Sequence, residues 1–324
     1  MRVFRTFTAP ADTQGIALTI GNFDGVHRGH QAMLRRLLQR AAELSLPSAV
    51  MTFEPHPREF FAPDAAPARL SSLREKLELF AQAGIDRCYV CRFDRRLAAM
   101  PAETFISDVL RNKLHVKWVL IGDDFRFGAQ RRGDFSLLQE ASRGTDLDVE
   151  AMSSVELGGV RVSSTAVRTA LHQGDLAQAR ALLGRDYAIS GRVVHGEKTG
   201  RKLGFPTANI ALKHNRPPLA GIFAVELFGL DAPRFGVASL GTRPTIRPDG
   251  LPTLEVHLFD FEGDIYGAHV SVAFLHKLRD EARYPDLETL TAQIRRDVVA
   301  ARDWLAAQPR RANICLPNPA MPIA

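Results

Sequence analysis

Two histidines three residues apart, a hydroxyl close to a carboxamide, and a carboxylate on an alternating strand are the side chains of this sequence best suited to chemistry. His27 and His30 stand in Gly21-Asn22-Phe23-Asp24-Gly25-Val26-His27-Arg28-Gly29-His30. The apolar run Ile16 to Ile20 before it reads as a buried strand, and Met33, Leu34, Leu37, Leu38 and Ala41 after it share one helix face. A strand, a glycine-rich turn and a helix N-terminus aim free N–H groups and the positive end of the helix dipole at the turn, which suits a phosphate. One helical turn separates the two rings, so both can face that phosphate, and Gly29 lets it approach the backbone closely. Thr207 and Asn209, in Gly200-Arg201-Lys202-Leu203-Gly204-Phe205-Pro206-Thr207-Ala208-Asn209-Ile210, are hard oxygen ligands suited to Mg²⁺ carried in by a nucleotide. Between Thr253 and Phe259, alternation puts Leu254, Val256 and Leu258 on one face and Glu255 with His257 on the other. Glu255 is there either a solvated strand residue or a base for the proton of an attacking hydroxyl.

These groups need elements to carry them. The length of 324 residues predicts two domains, because single cores stop growing near roughly 250 residues. A hydrophobic content of 45% with 24% charged residues is ordinary for a globular protein. No apolar run approaches a membrane span, and Met1-Arg2-Val3-Phe4-Arg5 lacks a signal peptide's apolar core, so a cytoplasmic protein is expected. The net charge of +6 with a pI near 9.5 is compatible with nucleic acid, but no Lys/Arg run forms a binding stripe, and binding anionic phosphates explains the mild excess equally well. Cys88 and Cys91 have C-x-x-C spacing but lie in an apolar strand, and Cys315 is far away; all read as thiols without redox or zinc chemistry.

The first half alternates strand and helix. Strands are expected at Ser48–Phe53, around Cys88, and at Val116–Ile121, with helices at 72–83 and from Pro101, which suits a helix's first turn, the latter burying Phe105, Ile106, Val109 and Leu110. Pro55 and Pro57 predict a rigid turn that breaks any helix. Such units imply a doubly wound parallel sheet with its ligands beyond the strands' C-terminal ends, where the loops at Gly21, Glu54 and Gly122-Asp123-Asp124-Phe125-Arg126-Phe127-Gly128 all fall. Ser163, Ser164 and Thr165 are good N-caps for a helix running on from Ala166 to His172, and a further helix ends at Gly184. Beyond it, short strand-like runs at 189–194, 222–228, 235–240, 253–259 and 269–274, with no helices between, predict a small antiparallel barrel or sandwich. A helix from about Leu287 to Ala307 follows, striped by Leu290, Ile294, Val298, Ala301 and Leu305, and the Pro-rich 309–324 reads as a disordered tail. The expected domains are therefore 1–185 and 186–308.

The H-x-G-H string resembles the signature of nucleotidyltransferases, and Ser163-Ser164-Thr165-Ala166-Val167-Arg168 resembles the mobile element that closes over ATP phosphates in that superfamily. Taken with F-E-P-H-P, G-D-D-F-R-F-G, G-R-K-L-G-F-P-T-A-N-I, Gly221-Ile222-Phe223, Gly241-Thr242-Arg243-Pro244-Thr245 and Leu278-Arg279-Asp280-Glu281, the chain from Gly15 to about Leu305 resembles the bacterial bifunctional riboflavin kinase/FAD synthetase family. The resemblance implies an N-terminal FMN adenylyltransferase domain and a C-terminal β-barrel kinase with a long terminal helix. It implies phosphorylation of riboflavin to FMN, then adenylyl transfer from ATP to FMN, giving FAD and pyrophosphate.

By the same matching, His27, His30 and Arg168 act on the nucleotide phosphates, with Gly21, Phe23, Asp24, Gly29, Asp124, Phe125, Ser164 and Thr165 lining that site. Gly200, Arg201, Gly204, Thr207 and Asn209 bind the kinase's nucleotide, Thr207 and Asn209 ligate Mg²⁺, and Glu255 is the base. ATP, Mg²⁺ and the flavins riboflavin, FMN and FAD are the implied small molecules, with no nucleic acid or membrane as partner. The alternative is a single-activity nucleotidyltransferase whose barrel only binds substrate or nucleic acid.

Overall fold

Residues 1–7, 15–196, 199–212, 216–242 and 252–308 are described by the computed structural model. They form two compact units, 1–67 with 76–162 and 68–75 with 163–308. The expected boundary between 185 and 186 falls inside the second unit.

The first unit is built on strands β1 (Arg2–Phe4), β2 (Ile16–Ile20), β3 (Ser48–Glu54), β4 (Arg87–Arg92), β5 (Val116–Gly122) and β6 (Asp148–Met152). Their order is β1-β4-β3-β2-β5-β6, and every neighbouring pair is parallel. All five residues of β2 are buried, as a strand covered on both faces requires. Its one hydroxyl, on Thr19, is satisfied by the Leu120 carbonyl at 2.9 Å. The chain winds from β2 through β3 to β4, then returns to β5 on the other side of β2. The order therefore reverses between β2 and β5, and the loops after those two strands meet at a switch point where α/β sheets bind ligands.

Three local readings change. Pro57 does not end helical structure; it starts the short helix Pro57–Phe61, where a proline costs nothing at the first position. His56 and Glu59 close that helix with a reciprocal capping box. Phe105–Lys113 buries the expected Phe105, Ile106, Val109 and Leu110, but it is a π-helix, with the Leu114 N–H donating to the Val109 carbonyl at 3.0 Å. Apolar positions at i, i+1, i+4 and i+5 satisfy either winding, so the sequence could not separate them. Pro101 precedes this helical run as its cap and is not in its first turn. Cys88 and Cys91 are both buried on β4; burial pushes Cys88 up to about 12 and raises Cys91 further, so neither is a thiolate at neutral pH.

After a small hairpin, β7 (Glu156–Leu157) and β8 (Val160–Arg161), the second unit opens with helices Ser164–His172 and Leu176–Leu183, and Gly184 caps the latter at φ 74°. Six strands follow: β9 (Tyr187–Val194), β10 (Ala208–Ile210), β11 (Gly221–Phe228), β12 (Arg234–Thr242), β13 (Pro252–Leu258) and β14 (His269–Arg279). They close as a barrel in the order β10-β13-β12-β11-β14-β9, antiparallel throughout. Closure selects the barrel over the sandwich. It depends on β10, a three-residue strand after Pro206 that is too short to show an alternating pattern.

The terminal helix, Leu287–Ala306, packs Ala301, Val298 and Leu305 with Ala224 and Phe259. Its other buried residue is Asp297, gripped by Arg279 through bonds of 2.9 and 2.6 Å. The tail from 309, with Cys315, lies outside the described residues, as do Arg243, Pro244 and Thr245.

Candidate active sites

The turn Gly21–Val26 leaves β2 at the switch point. Phe23, Gly25 and Val26 adopt φ of 50°, 80° and 40°, and Phe23 is buried against Phe80 and His30. Gly21 makes room for that ring, since a Cβ there would stand 3.1 Å from it. The turn hands over to helix Arg28–Glu43, whose N-cap is His27: its Nδ1 accepts the His30 N–H at 3.3 Å. That bond leaves Nε2 as the proton-bearing nitrogen of a neutral His27. The two imidazoles stack with centroids 3.6 Å apart and planes 16° from parallel. A Cβ on Gly29 would stand 3.1 Å from the His27 ring, so this glycine makes room for the histidine stack. Asp24 is buried in the turn, and Asn22 Oδ1 is a buried acceptor with no partner among the described residues. Unsatisfied acceptor, paired rings and helix N-terminus together form a cradle that fits a nucleotide's amino and phosphate groups.

Asp124 and Phe125 follow β5, the neighbour of β2. Asp124 accepts from Arg161 at 2.5 Å, Asp123 from Ser154, and Phe125 stacks on Phe127 at 5.7 Å. At the C-terminal end of β3, Phe53 joins Phe60, Phe61 and Phe93 in an aromatic cluster, with Phe53 and Phe93 edge to face at 5.9 Å.

In the second unit, Ser163 is the N-cap of the helix that carries Ser164, Thr165 and Arg168, a choice among three hydroxyl residues that the string alone left open. Arg168 Nε donates to the Ala68 carbonyl at 2.6 Å. The segment bearing Ala68 is itself tied to the barrel, because Glu75 accepts from the Ser190 N–H at 2.6 Å and the Ser190 hydroxyl at 2.9 Å.

On the barrel's outer face the sequence-distant oxygens converge. Asn209 of β10 stands directly opposite Glu255 of β13, and the Thr207 hydroxyl donates to Glu255 Oε2 at 3.5 Å. Leu254, Val256 and Leu258 point into the barrel, which leaves Glu255 and His257 on the outward face as alternation predicts. The chain before β10 is fitted closely around this group. A Cβ on Gly196 would lie 2.3 Å from the Asn209 carboxamide, and one on Gly200 would lie 2.4 Å from the Phe205 carbonyl. Gly204 takes φ 83°, and Arg201 is exposed beside it. A hydroxyl, a carboxamide and a carboxylate are the donor set of a hard divalent cation, so these residues fit Mg²⁺. No three His, Cys, Asp or Glu side chains cluster as a metal cage among the described residues.

A family model described as FAD synthetase matches residues 9–166, and one described as riboflavin kinase matches residues 183–305. The bifunctional riboflavin kinase/FMN adenylyltransferase of Escherichia coli (strain K12) is 52% identical over 91% of this chain and 94% of its own length. That of Pseudomonas fluorescens is 49% identical, over 92% and 96%. The chain belongs to the bifunctional riboflavin kinase/FMN adenylyltransferase family. A crystal structure described as a macrolide-efflux protein from Streptococcus pneumoniae has the same fold: 28% identity, a TM-score of 0.79, and coverage of 94% of this chain and 100% of that one. Among the described residues no helix is long and apolar enough to cross a membrane.

Within this family framework, three contacts at the first site had no signal in the sequence. Lys76 and Thr52 both donate to the Asn22 carbonyl, and Arg161 meets Asp124. Each joins residues remote in sequence, and no spacing rule marks such a pair.

Proposed function

We propose that this chain converts riboflavin to FMN on its barrel and FMN to FAD at the switch point of its parallel sheet, each step consuming ATP. The observation that carries the two-activity reading is the convergence of Thr207, Asn209 and Glu255 on one barrel face. A barrel that only binds substrate has no need of a carboxylate held beside two neutral oxygens.

In the first step Glu255 accepts the proton of the riboflavin 5′-hydroxyl as its oxygen bonds to the γ-phosphorus of ATP. The bond from that phosphorus to the β-bridging oxygen breaks and ADP leaves. Thr207 and Asn209 supply oxygen ligands for Mg²⁺, which when bound offsets the charge of the phosphates. Gly200, Arg201 and Gly204 line the nucleotide's approach.

In the second step an FMN phosphate oxygen bonds to the α-phosphorus of ATP and pyrophosphate leaves. FMN brings its own nucleophile, so the protein has only to position the groups and stabilise charge. His27 and His30, at a helix N-terminus, hold phosphate oxygens, with Gly21, Phe23, Asp24 and Gly29 shaping the turn and Asp124 and Phe125 beside it. Ser164, Thr165 and Arg168 serve the same nucleotide, a role supported by the resemblance of their string to the nucleotidyltransferase element. The substrates are small molecules of the cytoplasm, with neither nucleic acid nor membrane as partner. We place the boundary between the activities at Arg185 and Asp186.

Incubation with riboflavin and Mg·ATP, with flavins resolved by chromatography, tests this reading. FMN should appear first and FAD after it. FAD formed from added FMN, with riboflavin left untouched, would support the single-activity alternative.

A further inference from the structure

His257 shares the outward face of β13 with Glu255, two residues along, and neither proposed step uses it. Its ring is built into the turn that leads to β10. Nδ1 stands 2.9 Å from the Pro206 carbonyl, and the ring meets Phe205 edge to face at 5.4 Å. A carbonyl can only accept, so Nδ1 carries the hydrogen and donates it.

The register between β10 and β13 shows what this bond does. Ala208 pairs with Val256, Asn209 with Glu255 and Ile210 with Leu254. One step further, the register would set Thr207 opposite His257, but the strand begins only at Ala208. Pro206 has no N–H with which to carry a ladder on. Where backbone pairing stops, the His257 side chain takes up the Pro206 carbonyl instead. Thr207 is thus held on both sides from one strand, Pro206 before it by His257 and Ala208 after it by Val256. Its own hydroxyl meets Glu255 at 3.5 Å, a bond too long to fix it unaided. We propose that His257 is a positioning residue for riboflavin phosphorylation: its Nδ1–H clamps the Phe205–Thr207 turn to the strand that carries Glu255, keeping the Thr207 oxygen in register with the base. The Phe205 N–H donates in turn to the Gly200 carbonyl at 2.8 Å, so the clamp reaches the glycine-rich turn as well. This rests on the assignment of Thr207 and Glu255 to the FMN-forming step.

The test uses the full-length chain and three substitutions. His257→Phe keeps an aromatic ring beside Phe205 and loses the donor. His257→Asn returns an N–H close to the place of Nδ1, whereas His257→Gln sets its N–H one bond further out. His257→Phe is expected to lower kcat/KM for ATP in riboflavin phosphorylation about tenfold, the upper worth of one neutral hydrogen bond. KM for riboflavin should stay within about twofold, and FMN adenylylation should be unchanged. Calorimetry with Mg·ADP, fitted to two sites, should show one site weakened several-fold and the other as in wild type. His257→Asn should recover most of both losses, and His257→Gln should not. That contrast decides the matter if His257→Phe does not fold.

Wild-type protein that makes no FMN from riboflavin would refute the kinase assignment itself. Wild-type protein that makes FMN, with a folded His257→Phe matching it in ATP kinetics and Mg·ADP binding, would overturn the role of His257 alone. Asn and Gln variants that behave alike would overturn it too, as would equal slowing of both steps, the pattern of a merely structural residue.

Discussion

Asn209 and Glu255 face each other across the β10–β13 ladder, 46 residues apart in sequence and paired in register. Because Thr207 stands just before β10 and donates to Glu255, three oxygen-bearing groups share one outward patch of a barrel whose other face is apolar. A carboxylate with a hydroxyl and a carboxamide beside it is positioned to take a proton while a cation is held next to it.

Replacing Glu255 by Gln keeps the shape of that patch and removes the base. FMN formation from riboflavin should fall by about 10²- to 10⁴-fold, the usual worth of a positioned general base. Adenylylation of supplied FMN should continue at the wild-type rate. Riboflavin phosphorylation near the normal rate, measured by flavin chromatography, would reduce Glu255 to a solvated strand residue.

His30→Ala should invert the pattern. FAD formation should fall on the order of a hundredfold or more, the cost of one preorganised donor at developing charge, while FMN still accumulates. Parallel loss of both activities would mean that the variant is misfolded or that one site serves both steps.

Gly200→Ala tests the close fit around the barrel site. The added Cβ would stand 2.4 Å from the Phe205 carbonyl, a backbone atom that cannot swing aside as a side chain would. Steady-state assays should show riboflavin phosphorylation reduced at least about tenfold through misplacement of Thr207, with FMN adenylylation intact. A variant with unchanged kinase kinetics would show that the Gly200–Phe205 turn plays no part in positioning.

The two architectures were legible because each has a strong period. Buried runs such as Ile16–Ile20 announce parallel strands, and the strict alternation of Thr253–Phe259 places Glu255 outward. The elements that escaped were short or determined by distant partners. Strand β10 has three residues, and it alone puts Asn209 opposite Glu255. The helix after Pro57 depends on a capping box that looks like a proline-rich turn in sequence. Gly29 reads as an opening for phosphate, and in the fold it also makes room for the His27 ring, as Gly21 does for the Phe23 ring. Glycine marks a close approach without saying which group approaches.

The thiols supply a pH prediction. Cys88 in the folded chain holds its proton up to about 12, whereas an unfolded thiol loses it near pH 8.5. Between those values the native state binds more protons than the unfolded state, so stability should fall as pH rises through that window. Thermal melts from pH 8 to 11 should show the decline, and Cys88→Ala should make it shallower, with Cys91, which burial also raises, sustaining the rest. Native protein at pH 8 should also hide Cys88 and Cys91 from a thiol reagent that labels both after denaturation; rapid native labelling of either would contradict their burial.

A fragment comparison addresses the proposed boundary. Helix Leu176–Leu183 buries Leu176, Ala179, Leu182 and Leu183 and packs on β9 and β14. Residues 186–308 should therefore phosphorylate riboflavin but unfold more readily than residues 163–308, since each fully buried leucine is worth up to about 1.5–3 kcal/mol. Equal denaturation midpoints would show that this helix adds nothing to the barrel. A folded 186–308 without kinase activity would move the boundary upstream.

The central claim, two steps on two separate sites, is tested most directly by mixing His30→Ala with Glu255→Gln and supplying only riboflavin and Mg·ATP. His30→Ala alone should stop at FMN, and Glu255→Gln alone should leave riboflavin unchanged. Together they should make FAD, as FMN released by one variant is adenylylated by the other. A mixture that yields FMN but no FAD, with each variant folded and Glu255→Gln still active on added FMN, would contradict the account, because the steps would then require both sites in one intact chain.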